Sequence, residues 1–192
     1  MVSGLIKFLV LVLVIVSIGS CVGGCVGGMT KSNASKFIST SDGMVELSFP
    51  AGWHKNPKKH PYDLQCLSKE SEMNTGVFQF STKDLARDTT GKTILGFQIE
   101  DLRSKRQNFE IEEPEEIIKL ENKVLTTILF SGEKDKSRYF YKYTLVEFND
   151  NSEIFIVVLQ VAVPSLWVKV KPILNEIIKS ARISQNSVEK AK

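Results

Sequence analysis

The sequence has no large excess of charge of either sign, and it has few of the residues that build metal or catalytic sites. Its 192 residues include 25 Lys and Arg, 22 Asp and Glu, 3 Cys and 2 His. If Lys7 is removed with an N-terminal leader, 24 basic residues stand against 22 acidic ones, a net charge of +2 that does not favour nucleic acid as a partner. The Gly-x-Ser-x-Gly elbow of many hydrolases is also missing. The sequence therefore predicts no catalytic constellation, no bound cofactor and no nucleic-acid partner.

What the sequence does contain, at its N-terminus, is the pattern of an export signal. Lys7 precedes an apolar run from Phe8 to Ile18, and small residues follow the run. As a helix the run would be roughly 16 Å long, which is short for a bilayer core of roughly 30 Å. We therefore expect residues 1–20 to be a signal peptide that directs the rest of the chain out of the cytoplasm.

The residues after the apolar run predict how the protein is anchored. Ile18-Gly19-Ser20-Cys21 resembles the lipobox of prokaryotic lipoproteins, in which the cysteine receives diacylglycerol. Lipid on Cys25, an uncleaved N-terminal helix, and a plain signal peptide whose cysteines are incidental stay open as alternatives. All of these place the folded domain outside the cytoplasm, and we expect the protein at the cell membrane, anchored by lipid. Residues 21–35, rich in Gly, Ser and Thr, are expected to be a flexible tether.

The remaining chain shows strand-like and helix-like patterns in turn. Alternating apolar residues predict strands at 36–40, 44–49, 62–68 and 75–82, and a helical stripe predicts a helix from Thr93 to Phe109, capped by Thr89 or Thr90. An acidic edge at 110–116 is interrupted by Pro114. Further strands are predicted at 117–121, 123–131, 138–149 and 153–163, and a last helical segment opens at Pro164, with a kink or the regular helix start at Pro172.

These elements predict an α+β fold. Apolar residues occupy both faces of the strand that contains residues 154–159, so this strand needs cover on each side. We therefore expect an α/β/α sandwich, in which a mainly antiparallel sheet is covered by helices on both faces. The domain is predicted to span residues 36–184, and residues 185–192 are predicted to form a polar tail.

Two stretches, together with the order of the elements, carry a family resemblance. They are Leu47-Ser48-Phe49-Pro50-Ala51-Gly52-Trp53 and the segment from Pro172 to Ile183. Both resemble the PsbP-like family, which is named for an extrinsic photosystem protein. The resemblance covers most of residues 36–184 and implies an α/β/α sandwich with a non-enzymatic role. No motif here matches the calcium-, manganese- or GTPase-binding residues of the family, so none of those sites is transferred to this chain.

One basic loop with aromatic ends is a candidate interaction patch. On a tethered protein, each lysine close to anionic lipid contributes about 1 kcal/mol, so the loop could dock on phospholipid or on an acidic partner. A merely solvated loop is the alternative. The candidate residues are Trp53, His54, Lys55, Lys58, Lys59, His60 and Tyr62.

Two short segments contain residue types found in chemical sites. His54, His60, Asp63 and Cys66 are metal-ligand types, but their spacing is not that of a zinc site, and a lone Cys66 in a strand is expected to be a buried hydrophobe. The segment 86–93 partly fits a phosphate-binding loop. Its negative charge and the antiparallel sheet instead favour a helix cap.

The sequence thus predicts a membrane-tethered, non-catalytic PsbP-like lipoprotein that serves as a binding or accessory module. Its partners are predicted to be the membrane, through the lipid or an uncleaved anchor, and a protein or envelope component. The alternative is an exported metal-dependent or hydrolytic enzyme that uses the loop from His54 to Cys66. A purely structural envelope lipoprotein is the third candidate.

Overall fold

The computed structural model describes residues 35–57, 61–68, 73–149 and 153–184. The predicted signal peptide, Cys21, Cys25, the tether up to residue 34 and the predicted tail at 185–192 lie outside the described residues. Within those residues, no helix is long and apolar enough to cross a membrane.

The described residues form strands and helices close to those that the patterns predict. A short 3-10 turn at Thr82–Asp84 follows the fifth strand. The helices are α1 (Gly91–Ser104) and α2 (Pro164–Lys179). The strands are β1 (Lys36–Ser39), β2 (Val45–Phe49), β3 (Trp53–Lys55), β4 (Leu64–Ser68), β5 (Asn74–Ser81), β6 (Gln107–Lys119), β7 (Lys123–Lys134), β8 (Ser137–Phe148), β9 (Ile154–Ala162) and β10 (Arg182–Ile183).

The strands form two antiparallel sheets. The larger sheet has the order β3-β4-β5-β9-β8-β7-β6, and the smaller one has the order β1-β2-β10. All paired strands run antiparallel, so the predicted α+β class and the mainly antiparallel sheet are confirmed. The predicted hairpin of β1 and β2 is also present.

Strand β9 lies between β5 and β8, and all of its residues are buried. Alternate residues of a strand point to opposite faces. Ile156 and Val158 belong to a cluster that contains the buried residues of α2, here called the α2 cluster. Val157 and Leu159 belong to a second cluster that contains the buried residues of α1, here called the α1 cluster. Burial of β9 on both faces therefore agrees with its doubly apolar sequence.

Helix α1 has the predicted cap at Thr90, but it begins at Gly91 rather than Thr93 and ends earlier than predicted. Thr90 caps it through a capping box with Thr93, and the backbone N–H of Thr93 donates to Thr90 Oγ1 at 3.2 Å. The helix ends at Ser104, so the prediction that it reaches Phe109 is wrong. Phe109 lies in β6 and stacks on Phe130, with ring centroids 4.8 Å apart. The spacing of Phe109 from the apolar residues of α1 looks helical because α1 and β6 both contribute residues to the α1 cluster.

The predicted acidic edge and the strand after it are one long edge strand, β6. The register with β7 shifts between Glu113 and Glu116, which brackets Pro114. Such a bulge at a sheet edge accommodates proline, because the missing N–H interrupts no regular ladder bond.

Helix α2 begins at Pro164 and continues through Pro172. Proline at the first helical position is favourable because its missing N–H would have had no partner in the helix. The prediction that the regular helix starts at Pro172 is therefore wrong. Pro172 has no N–H to donate to the Val168 carbonyl. Both residues are exposed, so water can hydrate that carbonyl.

Candidate functional site

The described members of the predicted interaction patch do not share one surface. Trp53 is only 4% exposed, and its ring lies 5.5 Å from that of Phe49 in the α2 cluster. The Tyr62 ring packs against that of Phe78 in a tilted arrangement, with centroids 4.6 Å apart, and Phe78 pairs across the sheet with Val157 of the α1 cluster. The indole of Trp53 is thus part of the core rather than of a docking surface.

The basic residues of this loop are only partly described. Lys55 is exposed, and its Nζ donates to the Ser39 carbonyl at 3.0 Å. His54 is partly buried, and its Nδ1 has no hydrogen-bond partner. Lys58, Lys59 and His60 lie outside the described residues, so their part in a patch stays a prediction.

His54 and Cys66 do not converge into a dyad. Lys55 lies opposite Cys66 in the β3–β4 pair, and His54 lies opposite Leu67, so His54 and Cys66 point to opposite faces of the sheet. Burial raises the pKa of the Cys66 thiol to about 12, and the residue is fully buried, as predicted for a small hydrophobe. The part of the chain that the structure describes holds no cluster of three metal-ligating side chains.

The structure instead brings together all four tyrosines of the chain. They line a cavity of about 60 Å³ beside the C-terminal half of α1, here called the tyrosine pocket. Three of them alternate along β8 and therefore share one face of the sheet. The fourth, Tyr62, comes from the predicted patch. The four are Tyr62, Tyr139, Tyr141 and Tyr143.

Gly76 in β5 makes room for the ring of Tyr62. A Cβ at this position would lie 2.3 Å from Cε1 of Tyr62, which is far inside van der Waals contact. The ring therefore packs directly over the backbone of β5. Glycine at a strand position where a ring approaches the backbone this closely is typical.

Gln98 is the unusual polar residue of the tyrosine pocket. It is 4% exposed, and neither Nε2 nor Oε1 of its amide has a hydrogen-bond partner. Its backbone carbonyl accepts a hydrogen bond from the Tyr143 hydroxyl at 3.2 Å. A buried amide without partners is unfavourable, so Gln98 requires an explanation beyond packing.

The rim of the tyrosine pocket is cationic. Lys105, Arg106 and Lys134 line it together with one carboxylate, Asp101, which pairs with Lys105 at 2.6 Å. Arg106 Nε donates to the Tyr141 hydroxyl at 2.7 Å, and its guanidinium lies 5.2 Å from the centroid of the same ring. No carboxylate of the described residues forms a salt bridge with Arg106.

Burial keeps Tyr62, Tyr141 and Tyr143 as neutral hydrogen-bonding groups at physiological pH. Burial raises the pKa of Tyr62 to about 12 and raises the pKa of Tyr143 well above its ordinary value. Burial also raises the pKa of Tyr141, although the Arg106 guanidinium acts in the opposite direction. Phenols held in this form donate and accept hydrogen bonds but are poor nucleophiles and bases. The arrangement therefore fits binding better than catalysis.

The sequence contained one signal for this site that pattern reasoning missed. Tyr139, Tyr141 and Tyr143 alternate within one strand, so they had to share a face. Their convergence with Gln98 and Arg106 depends on how α1 packs on the sheet. Spacing along the chain does not reveal that packing.

Comparison with known proteins gives the class of the fold. No family model and no curated protein matches the chain. Among solved structures it is similar to cyanobacterial PsbP (CyanoP) from Synechocystis sp. PCC 6803, with 15% identity, a TM-score of 0.58, and coverage of 86% of this chain and 98% of that one.

Two further solved structures share the fold. LpqN of Mycobacterium tuberculosis has 13% identity and a TM-score of 0.57, and the match covers 79% of this chain and 91% of that one. The Ran-binding protein Mog1p of Saccharomyces cerevisiae has 12% identity and a TM-score of 0.56, and the match covers 80% of this chain and 97% of that one. At such identities the likeness concerns the fold, and the predicted PsbP-like fold is confirmed.

Proposed function

We propose that this protein is a membrane-tethered, non-catalytic binding module that works outside the cytoplasm and holds a partner at the tyrosine pocket. The observation that carries the proposal is Gln98, whose buried amide has no partner at a cavity with a cationic rim. Binding sites are concave, largely apolar and furnished with a few polar groups that fix the orientation of the ligand. The tyrosine pocket has this composition.

The structural neighbours support a binding role in general terms only. One is described as a Ran-binding protein, another as involved in cell envelope biogenesis, and a third is a cyanobacterial PsbP. Proteins that share a fold can differ in function, because the function depends on the site that each protein carries. For this chain, an envelope setting agrees with the predicted export signal.

We also infer that the two helices act as the outer layers of an α/β/α sandwich. Support comes from β9, whose alternate residues join the α1 cluster and the α2 cluster. In this arrangement α1 forms one wall of the tyrosine pocket, and α2 closes the other side of the sheet. The pocket would then open away from the α2 side.

Metabolic labelling with a fatty acid tests the tether. We expect label on the parent protein and none on the Cys21→Ala variant, which should be released from membranes. Cys25→Ala is the matched control and should keep the label. Label that persists in Cys21→Ala but not in Cys25→Ala would move the anchor to Cys25, and an unlabelled parent would contradict lipidation.

A photo-crosslinking residue placed at Tyr139 tests the binding role. Tyr139 lines the pocket and is partly exposed, whereas Lys169 lies on the exposed side of α2 and serves as the control position. In native membranes we expect a discrete crosslinked product from position 139 and none from position 169. Equal products from both positions, or none from either, would contradict a partner at the tyrosine pocket.

A further inference from the structure

The unpaired amide of Gln98 defines what an occupant of the tyrosine pocket must offer. Nε2 is a donor and Oε1 is an acceptor, and both are buried without a partner. The walls around them include Phe78, Leu159 and Val161, which offer no side-chain hydrogen bonds. An occupant that satisfies Gln98 therefore carries an acceptor and a donor close together.

Arg106 adds a preference for negative charge. Its Nε is used by the Tyr141 hydroxyl and its Nη1 by the Lys105 carbonyl, while Nη2 has no hydrogen-bond partner among the described residues. These two bonds and the contact with the Tyr141 ring hold the guanidinium in place. A guanidinium held in this way is suited to bind a carboxylate.

We propose that the tyrosine pocket binds a carboxylate with a neighbouring N–H donor, the chemistry of a polypeptide C-terminus or of an N-acylated amino acid. The inference rests on the proposed binding function. The carboxylate would accept from Arg106 and from Gln98 Nε2, and the N–H would donate to Gln98 Oε1. Lys134 at the rim adds attraction for the anion, and the opposite charges of Lys105 and Asp101 offset each other in their ion pair.

The size and chemistry of the pocket exclude other occupants. A cavity of about 60 Å³ is small beside the roughly 300 to 1,000 Å³ of sites for drug-sized ligands, so only an end group enters it. Inorganic phosphate keeps an O–H donor at neutral pH but has no apolar group to contact Phe78, Leu159 and Val161, so it serves as a competing probe in the test below. The competing explanation is water, because two or three ordered waters could satisfy the amide.

Titration calorimetry of the full-length protein in detergent tests the inference with N-acetylleucine as probe. This molecule has a carboxylate, an adjacent N–H and an apolar side chain. N-acetylleucinamide has a neutral amide in place of the carboxylate, which removes the charge and one acceptor oxygen. It should bind about tenfold more weakly, as expected for loss of a charge-assisted bond. The inference would be overturned by equal binding of the two probes or by tighter binding of inorganic phosphate. It would also be overturned if N-acetylleucine did not bind at millimolar concentration, and water would then be the occupant.

Variants locate the binding to this pocket. Gln98→Leu removes both amide atoms at similar size and should weaken N-acetylleucine binding about tenfold, as should Arg106→Met. The matched control is Arg103→Met, because Arg103 lies in the last turn of α1, three residues before Arg106, and its guanidinium is over the Phe109 ring, 5.5 Å from its centroid. Retained affinity in both pocket variants, or an equal loss in the Arg103 variant, would contradict the assignment.

A longer probe distinguishes the two sources of the carboxylate. N-acetyl-Ala-Ala-Leu with a free C-terminus should bind more tightly than N-acetylleucine if the natural ligand is a chain end, and equally if it is a small acylated amino acid. Either result agrees with the inference. If crosslinking from Tyr139 succeeds while the carboxylate and the amide bind alike, the binding module stands and the carboxylate assignment fails.

Discussion

The two clusters to which alternate residues of β9 belong differ at their borders. In the α2 cluster, Leu174 is 0% and Ile177 is 1% exposed, so these residues of the helix are fully buried. The α1 cluster instead borders the tyrosine pocket and the unpaired amide of Gln98. The α1 cluster thus has beside it a cavity and a buried amide without a partner, and both features cost stability.

Polar groups on the two sides differ in how fully their hydrogen bonds are satisfied. On the α2 side, Gln160 Nε2 donates to the Leu174 carbonyl at 2.9 Å, and Lys142 Nζ donates to Asn175 Oδ1. Helix α2 thus supplies some partners for polar residues of the sheet, although Gln160 Oε1 and Trp167 Nε1 are buried without a partner. Gln98 on α1 differs in that neither atom of its amide has a partner. Three pairs of variants and one single variant would break or sharpen this contrast.

The largest expected difference is between matched leucines. Leu174→Ala should lower the free energy of unfolding by about 3 to 5 kcal/mol, because it opens a cavity in a filled core. Leu102→Ala, at the wall of the tyrosine pocket, should lower it by only about 2 kcal/mol, since fewer packing contacts are lost beside an existing cavity. Urea unfolding of both variants measures the difference, and equal losses would contradict the contrast between the two clusters.

Lys142 gives the α2 side a distinctive pH dependence. Burial, with added repulsion from Lys171, lowers its pKa from 10.5 to about 8 against the opposing effect of Glu113 and Glu116. The unfolded chain therefore binds more protons than the folded chain between about pH 8 and 10.5, so this group makes stability rise with pH in that window.

The Lys142→Met variant isolates this effect. It should be more stable than the parent at pH 7, and its advantage should shrink by about 1 to 3 kcal/mol as the pH rises from 8 to 10.5. Comparing parent and variant cancels the opposite contributions of Cys66 and Tyr62, whose pKa values are raised. A constant difference across this pH range would show that Lys142 keeps an ordinary pKa.

Alanine substitutions at two glycines on the α1 side should change the stability of the protein in opposite directions. Gly76→Ala should destabilise the protein by about 1 to 3 kcal/mol, because the new Cβ collides with the Tyr62 ring. Gly96→Ala is the control in exposed α1, where nothing lies within 4 Å, and it should stabilise by up to about 1 kcal/mol through helix propensity. Thermal unfolding shows both signs, and a neutral Gly76→Ala would contradict the close approach of Tyr62.

The smallest effect concerns the start of α1. Thr90→Ala should lower the free energy of unfolding by about 1 kcal/mol, because the Thr93 N–H loses its capping acceptor. Thr90→Ser keeps the side-chain oxygen and should retain nearly full stability. Chemical denaturation of both variants provides the measurement. A loss of equal size in the serine variant would argue against the cap.

Local patterns predicted those parts of the fold that depend on neighbouring residues. The β1–β2 hairpin, the Thr90 cap and the burial of β9 all follow from sequence spacing, and the structure contains each of them. The patterns failed at Phe109, because a strand residue that packs on the same cluster as a helix continues the apparent helical stripe. They failed again at Trp53, because an aromatic residue in a basic loop looks exposed until the core is assembled.

By itself the sequence determined the α+β class, most element boundaries and the resemblance to PsbP-like proteins, since local periodicity and short motifs encode them. Only the tertiary structure decided that the four tyrosines surround one pocket and that Gln98 lies there without a partner. The tyrosine pocket is built from residues far apart in the chain, from Tyr62 to Val161. Contacts at such separations arise from the packing of α1 on the sheet, which single-sequence spacing does not specify.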